Sequence, residues 1–354
     1  MSAESVPAGT TPTPPAQRLL EVKNLSLYMR RPDGSEVQVL DNVNLSIDRH
    51  QALGIIGESG SGKSMTALSI LRLLPRNARV EGQVLLEGVD LLRMGQKRLR
   101  TIRGRQIAMI FQEPMTALDP TFTIGHQISQ VLRAHSQLPR RSARTRVIEV
   151  LDSVGIPDPA RRYCEYPHQL SGGMQQRAMI AMALVCQSKL LIADEPTTAV
   201  DITIEAQLLQ LLSRLNRDFG LAVMLITHDI GVVAEFCDRI AVMYSGQIVE
   251  EAPTDELLVS PAHPYASGLM RSIPRIGSRG EQLYAIPGRV PDLGAAPAGC
   301  RFHPRCDFAR ESCGTDLQVL RRHGVPADAH WVRCERADDL RLPGAVPKAQ
   351  EAAQ

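Results

Sequence analysis

The most chemically specific stretch of the sequence is Gly57–Ser64, which reads GESGSGKS. It matches the phosphate-loop pattern G-x-x-x-x-G-K-[ST] without departure. The apolar run Ala52–Ile56 precedes it and is typical of a buried strand, and Met65–Leu74 follows with leucines at helical spacing. In this context the glycines let successive backbone N–H groups point at one phosphate, and the helix N-terminus adds positive potential. The sequence therefore predicts a nucleoside triphosphate site.

Two side chains of this stretch have distinct expected roles. Lys63 is expected to reach the β- and γ-phosphates, and the Ser64 hydroxyl is expected to hold Mg²⁺. The candidate phosphate-binding residues of the loop are Gly57, Ser59, Gly60, Ser61, Gly62, Lys63, Ser64 and Met65.

A second anion-binding helix end is indicated by Leu170–Arg177, which reads LSGGMQQR. The Ser171 hydroxyl would cap the helix, and Gly172 and Gly173 would leave its first amides bare. An ordinary glycine-capped helix is the alternative for these residues alone. Since only the first helix end carries a lysine, the Ser171 end of one molecule could close on the γ-phosphate held by another. Gln175 belongs to the same candidate ligand set.

Carboxylates follow a buried strand in the stretch Leu190–Glu195, which reads LLIADE. Asp194 is expected to complete the Mg²⁺ shell, and Glu195 to orient and polarise the attacking water. A second apolar run, Leu221–Ile226, ends at His228 and its neighbours. Strands that alternate with helices and deliver polar residues at their carboxyl ends predict an α/β sheet with its ligand at that edge.

The elements before and between these motifs are also readable. Leu20–Met29 and Val37–Ile47 alternate apolar and polar residues, as half-buried antiparallel strands do. From about 115 to 175, helical periodicities broken by prolines predict an inserted helical subdomain. The start of the chain, rich in Pro, Ala, Ser and Thr, predicts a disordered tail.

Composition excludes some classes of function. The 354 residues carry 40 basic and 38 acidic side chains, so no global field attracts nucleic acid or anionic lipid. No apolar run approaches the ~18–20 residues of a membrane span. Seven cysteines are expected as thiols or metal ligands rather than disulfides. Three of them, Cys164, Cys186 and Cys237, are expected to be small buried apolar residues.

Together these motifs resemble those of the ATP-binding subunits of ABC transporters, in the usual order over about 19–260. The resemblance implies a RecA-like phosphate-loop core with an antiparallel β subdomain and a helical insert. It also implies that two subunits sandwich two ATP molecules head to tail. Gln112 matches the residue that senses γ-phosphate and Mg²⁺, and His228 matches the switch histidine that contacts the γ-phosphate. Asp201 resembles a contact to the partner subunit. Tyr28 matches the aromatic that stacks on adenine, a packed strand residue being the alternative.

The C-terminal part of the sequence narrows the resemblance to one subfamily. Ser260–Leu269 (SPAHPYASGL) and Gly299–Cys313 (GCRFHPRCDFARESC) resemble the extension of oligopeptide and dipeptide importer ATPases, which some nickel and glutathione importers share. The predicted organisation is a tail at 1–18, an ATPase domain at 19–262 with its helical subdomain at about 115–175, a C-terminal domain at 263–343 and a tail at 344–354.

Four cysteines fall in this extension, namely Cys300, Cys306, Cys313 and Cys334. They lack the tight C-x₂₋₄-C pairs of structural zinc sites, whereas cluster-binding cysteines tolerate wider spacings. A [4Fe–4S] cluster is the favoured interpretation, because a loop-rich segment with little core of its own gains from a metal staple. Zinc, with His303, His323 or His330 replacing a cysteine, and free thiols or a redox disulfide are the alternatives.

The resemblance implies an ATP-hydrolysing subunit that powers import of di- or oligopeptides, or a related small solute, from the cytoplasmic face of a bacterial inner membrane. The implied partners are a second homologous ATPase (a heterodimer), two transmembrane permease subunits and, indirectly, an external substrate-binding protein, with no nucleic acid. The alternative is a soluble ABC ATPase that does mechanical work on nucleic acid or ribosomes. Such proteins usually carry two cassettes, a coiled-coil insert or basic patches, which this sequence lacks. Substrate contacts would lie in the other chains, so the sequence does not identify the substrate.

Overall fold

A computed structural model describes residues 18–111, 117–196, 202–272, 284–292, 294–324 and 330–345, with the backbone alone for 202–204. Its largest element is an eight-stranded mixed sheet in the order β11-β12-β10-β9-β3-β8-β7-β6. The strands are β3 Ala52–Ile56, β6 Ile107–Ile110, β7 Leu190–Asp194, β8 Ala222–Ile226, β9 Arg239–Tyr244, β10 Gln247–Pro253, β11 Arg321–Arg322 and β12 Trp331–Val332. Strands β9, β3, β8, β7 and β6 run parallel, and the other three pair antiparallel.

The parallel part of this sheet explains the continuous apolar runs of the sequence. Every residue of β3, β7 and β8 is buried, because a parallel strand in an α/β protein is covered on both faces. β8 pairs with β3 on one side and with β7 on the other. The carboxyl ends of these three strands therefore meet at one edge.

A second, four-stranded antiparallel sheet has the order β2-β1-β4-β5. Its strands are β1 Arg18–Arg30, β2 Glu36–Asp48, β4 Ala78–Leu86 and β5 Val89–Asp90. Burial alternates along β1 and β2, as the sequence pattern predicted. The inward side chains, among them Leu20, Leu40 and Val84, share one apolar core with Leu53 and Met243 of the larger sheet.

Eleven α-helices are assigned in the described residues. They are α1 Lys63–Ile70, α2 Gln96–Ile102, α3 Ile124–His135, α4 Arg140–Ser153, α5 Pro159–Arg162, α6 Gly172–Leu184, α7 Ile202–Phe219, α8 Ile230–Phe236, α9 Thr254–Val259, α10 Pro264–Arg271 and α11 Glu311–Thr315. The helix predicted over Met65–Leu74 is shorter than expected. It ends at Ile70, and Arg72 adopts a φ of 51°, which a right-handed helix cannot accommodate.

Among the described residues between 117 and 171, helices are present and strands are not. Here α3 contacts α4, and both contact α6. Ile128, Val147 and Leu151 pack in the same apolar core as Ala178 of α6. This helical region therefore reaches the main sheet through α6, which also contacts β6.

The C-terminal segment, residues 263–343, contributes strands to the main sheet. β12 pairs with β10, with Val332 opposite Glu250 and Trp331 opposite Glu251. Tyr244 of β9, Tyr265 of α10 and Phe302 form an aromatic cluster, with ring centroids 4.6 to 5.3 Å apart. The segment is thus joined to the rest of the chain by backbone pairing and by a shared core.

The α/β class predicted from the sequence is confirmed. All seven cysteines are free. Cys237 is buried and Cys186 half-buried, but Cys164 is exposed, so the prediction that it is a buried apolar residue is wrong. In the described part of the chain, no helix combines the length and apolar character that a membrane crossing needs. The predicted tails at 1–18 and 344–354 lie outside the described residues except for Arg18, which begins β1, and for Gly344 and Ala345.

A buried histidine fastens the C-terminal segment to β10 and α9. His330 places Nε2 2.7 Å from Glu250 Oε1 and Nδ1 2.8 Å from Glu256 Oε1. Glu250 is fully buried and also accepts the backbone N–H groups of Ala262 and His263, each at 2.7 Å. Burial by itself lowers the pKa of His330, but the hydrogen bonds and charges of Glu250 and Glu256 outweigh it and raise the pKa. Because both ring nitrogens face carboxylate oxygens, we assign the ring as imidazolium, the form that donates from both nitrogens.

We expect His330→Gln to lower the free energy of unfolding by about 3 kcal/mol at pH 6, since it leaves the buried Glu250 without its cation. A pKa raised in the folded state stabilises fully below the unfolded value of about 6.5 and ceases to do so as pH rises through the folded pKa. The loss should therefore shrink at alkaline pH, measured by urea denaturation. His168→Gln, a change at an exposed histidine of the turn Pro167–Gln169, is the control and should cost less than about 0.5 kcal/mol. A loss for His330→Gln that does not vary with pH would contradict the imidazolium assignment.

Candidate functional site

The phosphate loop leaves β3 through a turn that only glycine can adopt. Gly57 has φ of 153°, and a Cβ placed there would lie 2.1 Å from the Met243 carbonyl oxygen. Gly62 has φ of 108° and is the N-cap of α1. Ser59 and Gly60 form the exposed tip, while Ser61 is buried and its carbonyl accepts the Gly246 N–H at 2.7 Å. The β9–β10 turn thus supports the loop from below.

Lys63 lies folded against the loop. Its Nζ donates to the carbonyl oxygens of Gly57 at 2.7 Å and Glu58 at 3.1 Å. Burial lowers the pKa of Lys63, and the nearby charges of Glu195 and Asp194 oppose that shift. A buried ammonium ion that donates to neutral carbonyl oxygens is further stabilised by an anion. The geometry suits a triphosphate lying along the loop.

The loop is joined to the end of β7 by a hydrogen bond that spans 130 residues of sequence. Ser64 Oγ donates to Asp194 Oδ1 at 3.0 Å. Burial raises the pKa of Asp194, with Glu195 adding to the effect and the Ser64 hydrogen bond opposing it. A hydroxyl and a buried carboxylate in contact are hard oxygen donors of the kind Mg²⁺ prefers. The donor set therefore fits the predicted Mg²⁺ site.

Glu195 directly follows β7 and has a left-handed conformation, with φ of 47°. Its N–H donates to the Ile226 carbonyl of β8 at 2.8 Å, and its Oε1 lies 3.6 Å from His228 Nδ1. A left-handed residue other than glycine costs about 1–2 kcal/mol, and such strain clusters at functional sites. The glutamate is mostly buried and the histidine is 68% exposed, so the pair faces the open edge of the sheet.

Two predicted site residues, Gln112 and Asp201, lie outside the described residues. Tyr28 is half-buried in β1, and the Arg79 guanidinium lies 4.2 Å from its ring centroid. Since a cation already covers one face of this ring, an adenine would have to stack on the other face or displace Arg79.

The second predicted anion site begins α6. Ser171 is the exposed N-cap, and its Oγ accepts the Met174 N–H at 3.4 Å. Gly172 and Gly173 form the first turn of the helix. The Gln175 side-chain amide donates to the carbonyl oxygens of Pro167 and Leu170, which lie at 2.8 and 3.2 Å. Gln175 therefore holds the turn before the helix, and the cap presents bare amides and a hydroxyl.

The four C-terminal cysteines line one enclosed cavity of about 20 Å³ together with Phe302 and His303. The lining cysteines are Cys300, Cys306, Cys313 and Cys334. Burial is the main cause that raises the pKa of all four thiols, to about 11 for Cys306 and about 12 for Cys334. Among the described residues, no three His, Cys, Asp or Glu side chains are grouped closely enough to hold a single metal ion.

Two of the three histidines considered as zinc ligands contact carboxylates instead. His330 has both ring nitrogens against glutamates. His323 Nδ1 lies 3.0 Å from Asp338 Oδ1, and only His303 lines the cysteine cavity among the three. The observed donor set is therefore four thiols around one cavity, without the tight grouping of a mononuclear zinc site.

Sequence reasoning missed the roles of three residues. Arg305 and Tyr265 contact the phosphate loop, and Glu58 is the loop residue that they contact. Arg305 forms a bidentate pair with Glu58, at 2.7 and 3.0 Å. The Glu58 N–H donates to the Tyr265 hydroxyl at 2.8 Å. Glu58 occupies an unspecified position of the phosphate-loop pattern, so the motif gave no sign of a partner. Tyr265 and Arg305 lie within the HPY and HPRC stretches, which the resemblance singled out without a role.

Comparison with known proteins covers both parts of the chain. The ABC transporter family model matches residues 40–198, and the model of the oligopeptide/dipeptide transporter C-terminal region matches residues 249–313. A protein from Brucella abortus named "putative peptide import ATP-binding protein" is 51% identical over 296 residues, which are 83% of this chain and 89% of that one. A protein of the same description from Brucella ovis is 48% identical over 337 residues, 92% of this chain and 98% of its own.

Among solved structures, the ATP-binding cassette MJ0796, a dimer in a post-hydrolysis state bound to ADP and phosphate, superposes with a TM-score of 0.60. It is 30% identical, and the match covers 67% of this chain and 99% of the cassette. The matched part therefore corresponds to one complete cassette.

We expect Gly57→Ala to abolish ATP binding and to lower the melting temperature, because the new Cβ would overlap the Met243 carbonyl. Gly60→Ala is the matched control. Gly60 is also left-handed, at φ of 79°, but a Cβ there meets nothing within 4 Å. It should cost only about 1–2 kcal/mol of backbone strain. Equal effects of the two changes on the dissociation constant for a fluorescent ATP analogue would contradict this explanation.

Proposed function

The chain belongs to the ABC transporter family of ATP-binding proteins, and from this membership we propose that it hydrolyses ATP to power the import of di- or oligopeptides, or a related small solute, across a bacterial inner membrane. The relatives named as peptide import proteins and the match to the oligopeptide/dipeptide C-terminal region support the substrate class.

The observation that carries the proposal is the contact between Ser64 Oγ and Asp194 Oδ1, at 3.0 Å. It brings the phosphate loop and a strand-end carboxylate to one point, beside the buried Lys63. Ser64 and Asp194 would hold Mg²⁺, which supplies charge neutralisation for the triphosphate. Lys63 would bind the β- and γ-phosphates in place of the two loop carbonyls it now contacts.

Glu195 is the proposed residue that orients and polarises the attacking water. Its carboxylate lies at the same sheet edge, 3.6 Å from His228 Nδ1. His228 is the residue proposed to contact the γ-phosphate. Gln112 and Asp201 are assigned from their sequence motifs alone, as the sensor of phosphate and Mg²⁺ and as a contact to the partner subunit. Tyr28 remains the proposed adenine platform, on the ring face away from Arg79.

The Ser171 end of α6 is proposed to close on the nucleotide of a second subunit. Its hydroxyl and glycine amides form an exposed anion-binding end, and the cassette to which the chain is similar is a dimer. The partner is proposed to be a homologous ATPase. The remaining proposed partners are two permease subunits and, indirectly, an external binding protein, with this chain peripheral on the cytoplasmic face.

The rival function is that of a soluble ABC ATPase acting on nucleic acid or ribosomes. The near absence of net charge, +2 over the chain, offers little attraction to RNA. The C-terminal region that matches oligopeptide and dipeptide transporters favours the importer.

We also propose that Cys300, Cys306, Cys313 and Cys334 hold a [4Fe–4S] cluster, with zinc as the alternative. Four thiols enclose one cavity, which is the ligand number that such a cluster takes. Their raised pKa values mean that the free thiols are protonated at neutral pH, so metal binding would release protons. A structural role is proposed, because the segment has few apolar residues of its own.

We expect Glu195→Gln to leave ATP binding intact and to lower hydrolysis by about 10²–10⁴-fold, the usual contribution of a general base. The measurement is phosphate release and uptake of labelled peptides by the full complex, co-expressed with its permeases and its second ATPase. Uptake should be lost while the complex is still recovered intact. Glu205→Gln, the same change at a half-buried glutamate in the first turn of α7, is the control.

Uptake that continues at the wild-type rate in the Glu195→Gln complex would contradict the proposed role of Glu195. Recovery of the native chain with RNA or ribosomes instead of polytopic membrane proteins would overturn the importer in favour of the rival function.

We expect anaerobically purified protein to be brown, with a broad visible absorbance that dithionite bleaches, and Cys306→Ser to lose that absorbance. Cys164→Ser, a change at an exposed cysteine that does not line the cavity, should keep it. A colourless wild-type sample with one zinc per chain would rule out the cluster.

A further inference from the structure

The C-terminal segment contacts the phosphate loop through one loop residue, Glu58. Arg305 Nη1 and Nη2 donate to the two carboxylate oxygens of Glu58, at 2.7 and 3.0 Å. On the backbone of the same residue, the Glu58 N–H donates to the Tyr265 hydroxyl at 2.8 Å. Two separate parts of the segment, α10 and the loop after Cys300, therefore hold the side chain and the main chain of Glu58.

Arg305 is itself held in place by its surroundings. Its side chain is 5% exposed. Nε donates to the Pro287 carbonyl at 2.7 Å, and Nη1 also lies 3.3 Å from the Tyr244 hydroxyl. Although burial opposes it, hydrogen bonding to Glu58 and Tyr244 keeps the pKa of Arg305 above its usual value. A bidentate pair of this kind, partly desolvated and with every donor group directed, fixes position as well as charge.

Glu58 in turn bears on the residue that binds phosphate. The Glu58 carbonyl oxygen accepts from Lys63 Nζ at 3.1 Å. A shift of Glu58 thus moves both the course of the loop and one of the two acceptors that position the lysine. The path from the C-terminal segment to the ammonium group is Arg305, Glu58, Lys63, with one direct contact at each step.

A second contact supports the loop from its other side. Arg301 donates to the Ser245 carbonyl, and its Nη2 pairs with Asp41 Oδ2 at 2.6 Å. The next residue, Gly246, donates its N–H to the Ser61 carbonyl of the loop at 2.7 Å. Arg301 and Arg305 lie on one short stretch bounded by Cys300 and Cys306, so this stretch braces the loop at two points.

We propose that Arg305 is a positioning residue of the nucleotide site, which holds the phosphate loop in its binding shape through Glu58, with Tyr265 as its main-chain counterpart. The C-terminal segment thereby sets the affinity of the loop for the triphosphate. This inference rests on the proposed function, since it assigns that site a determinant of its affinity. Binding to a loop that is already shaped avoids the cost of ordering it. Because Arg305 acts through Glu58, its effect should fall on the ground state and the transition state alike.

The test is a double-mutant cycle of Arg305→Gln and Glu58→Gln in the full chain. Each single change should raise the dissociation constant for a fluorescent ATP analogue by about tenfold, the range for a hydrogen bond to a charged group. The double change should be no weaker than either single one, because the two act through one contact. In the assembled complex, KM for ATP should rise with kcat nearly unchanged, as loss of uniform binding requires.

Two further variants sharpen the test. Tyr265→Phe removes the hydroxyl that accepts the Glu58 N–H and should weaken ATP binding by about threefold to tenfold. Arg310→Gln is the matched control, because this arginine of the same segment faces Asp339 at the surface, 3.7 Å away, and should bind ATP as the wild type does. Melting temperatures are measured for all variants. If Arg305→Gln fails to fold, Glu58→Gln decides alone, since it is nearly isosteric and its side chain is 32% exposed.

An unchanged dissociation constant in Glu58→Gln, additive losses in the double variant, or a fall in kcat at constant KM would each overturn the inference. Failure of the proposed function is a separate result. It would be seen as a wild-type complex that binds ATP but neither hydrolyses it nor transports peptide, whatever the affinities of the variants.

Discussion

The hydrogen bond from Ser64 to Asp194 is the contact on which the rest of the structure depends. It can form only because β8 lies between β3 and β7, so that the loop after β3 and the carboxylate after β7 reach across one strand. The same order places His228, at the end of β8, between the two. Burial on both faces of the sheet keeps Lys63 and Asp194 out of water, where each charge needs a partner. The parallel core thus brings to one edge a lysine that an anion would stabilise and a carboxylate that a cation would stabilise.

Much of this edge could be predicted from the sequence. The runs before Gly57 and through Ile226 are long, uniformly apolar and followed by polar residues, which is the pattern that a parallel strand buried on both faces must show. The motif then fixes Lys63 and Ser64 in the first turn of α1. Local signals of this kind are complete within about ten residues, so tertiary context has little to add to them.

What the sequence could not predict depends on contacts between distant segments. The pairing of β12 with β10 is a two-residue contact without periodicity, and Arg305 and Glu58 are separated by 247 residues. The cation over Tyr28 comes from β4, and nothing in the local pattern of β1 announces it. Helix α1 ends early because Arg72 turns left-handed to donate to carbonyls near α2. Each of these features depends on which distant segment a side chain or strand contacts. Composition and local spacing do not specify such contacts.

The position of β12 also has a consequence for the newly made chain. β10 is complete about 80 residues before β12 is synthesised. During that interval the backbone groups of Glu250 and Glu251 that later pair with β12 form an open edge, and such edges invite pairing with other chains. Expression at reduced translation speed would lengthen the exposure, so solubility in cells is expected to depend on how fast the C-terminal segment follows.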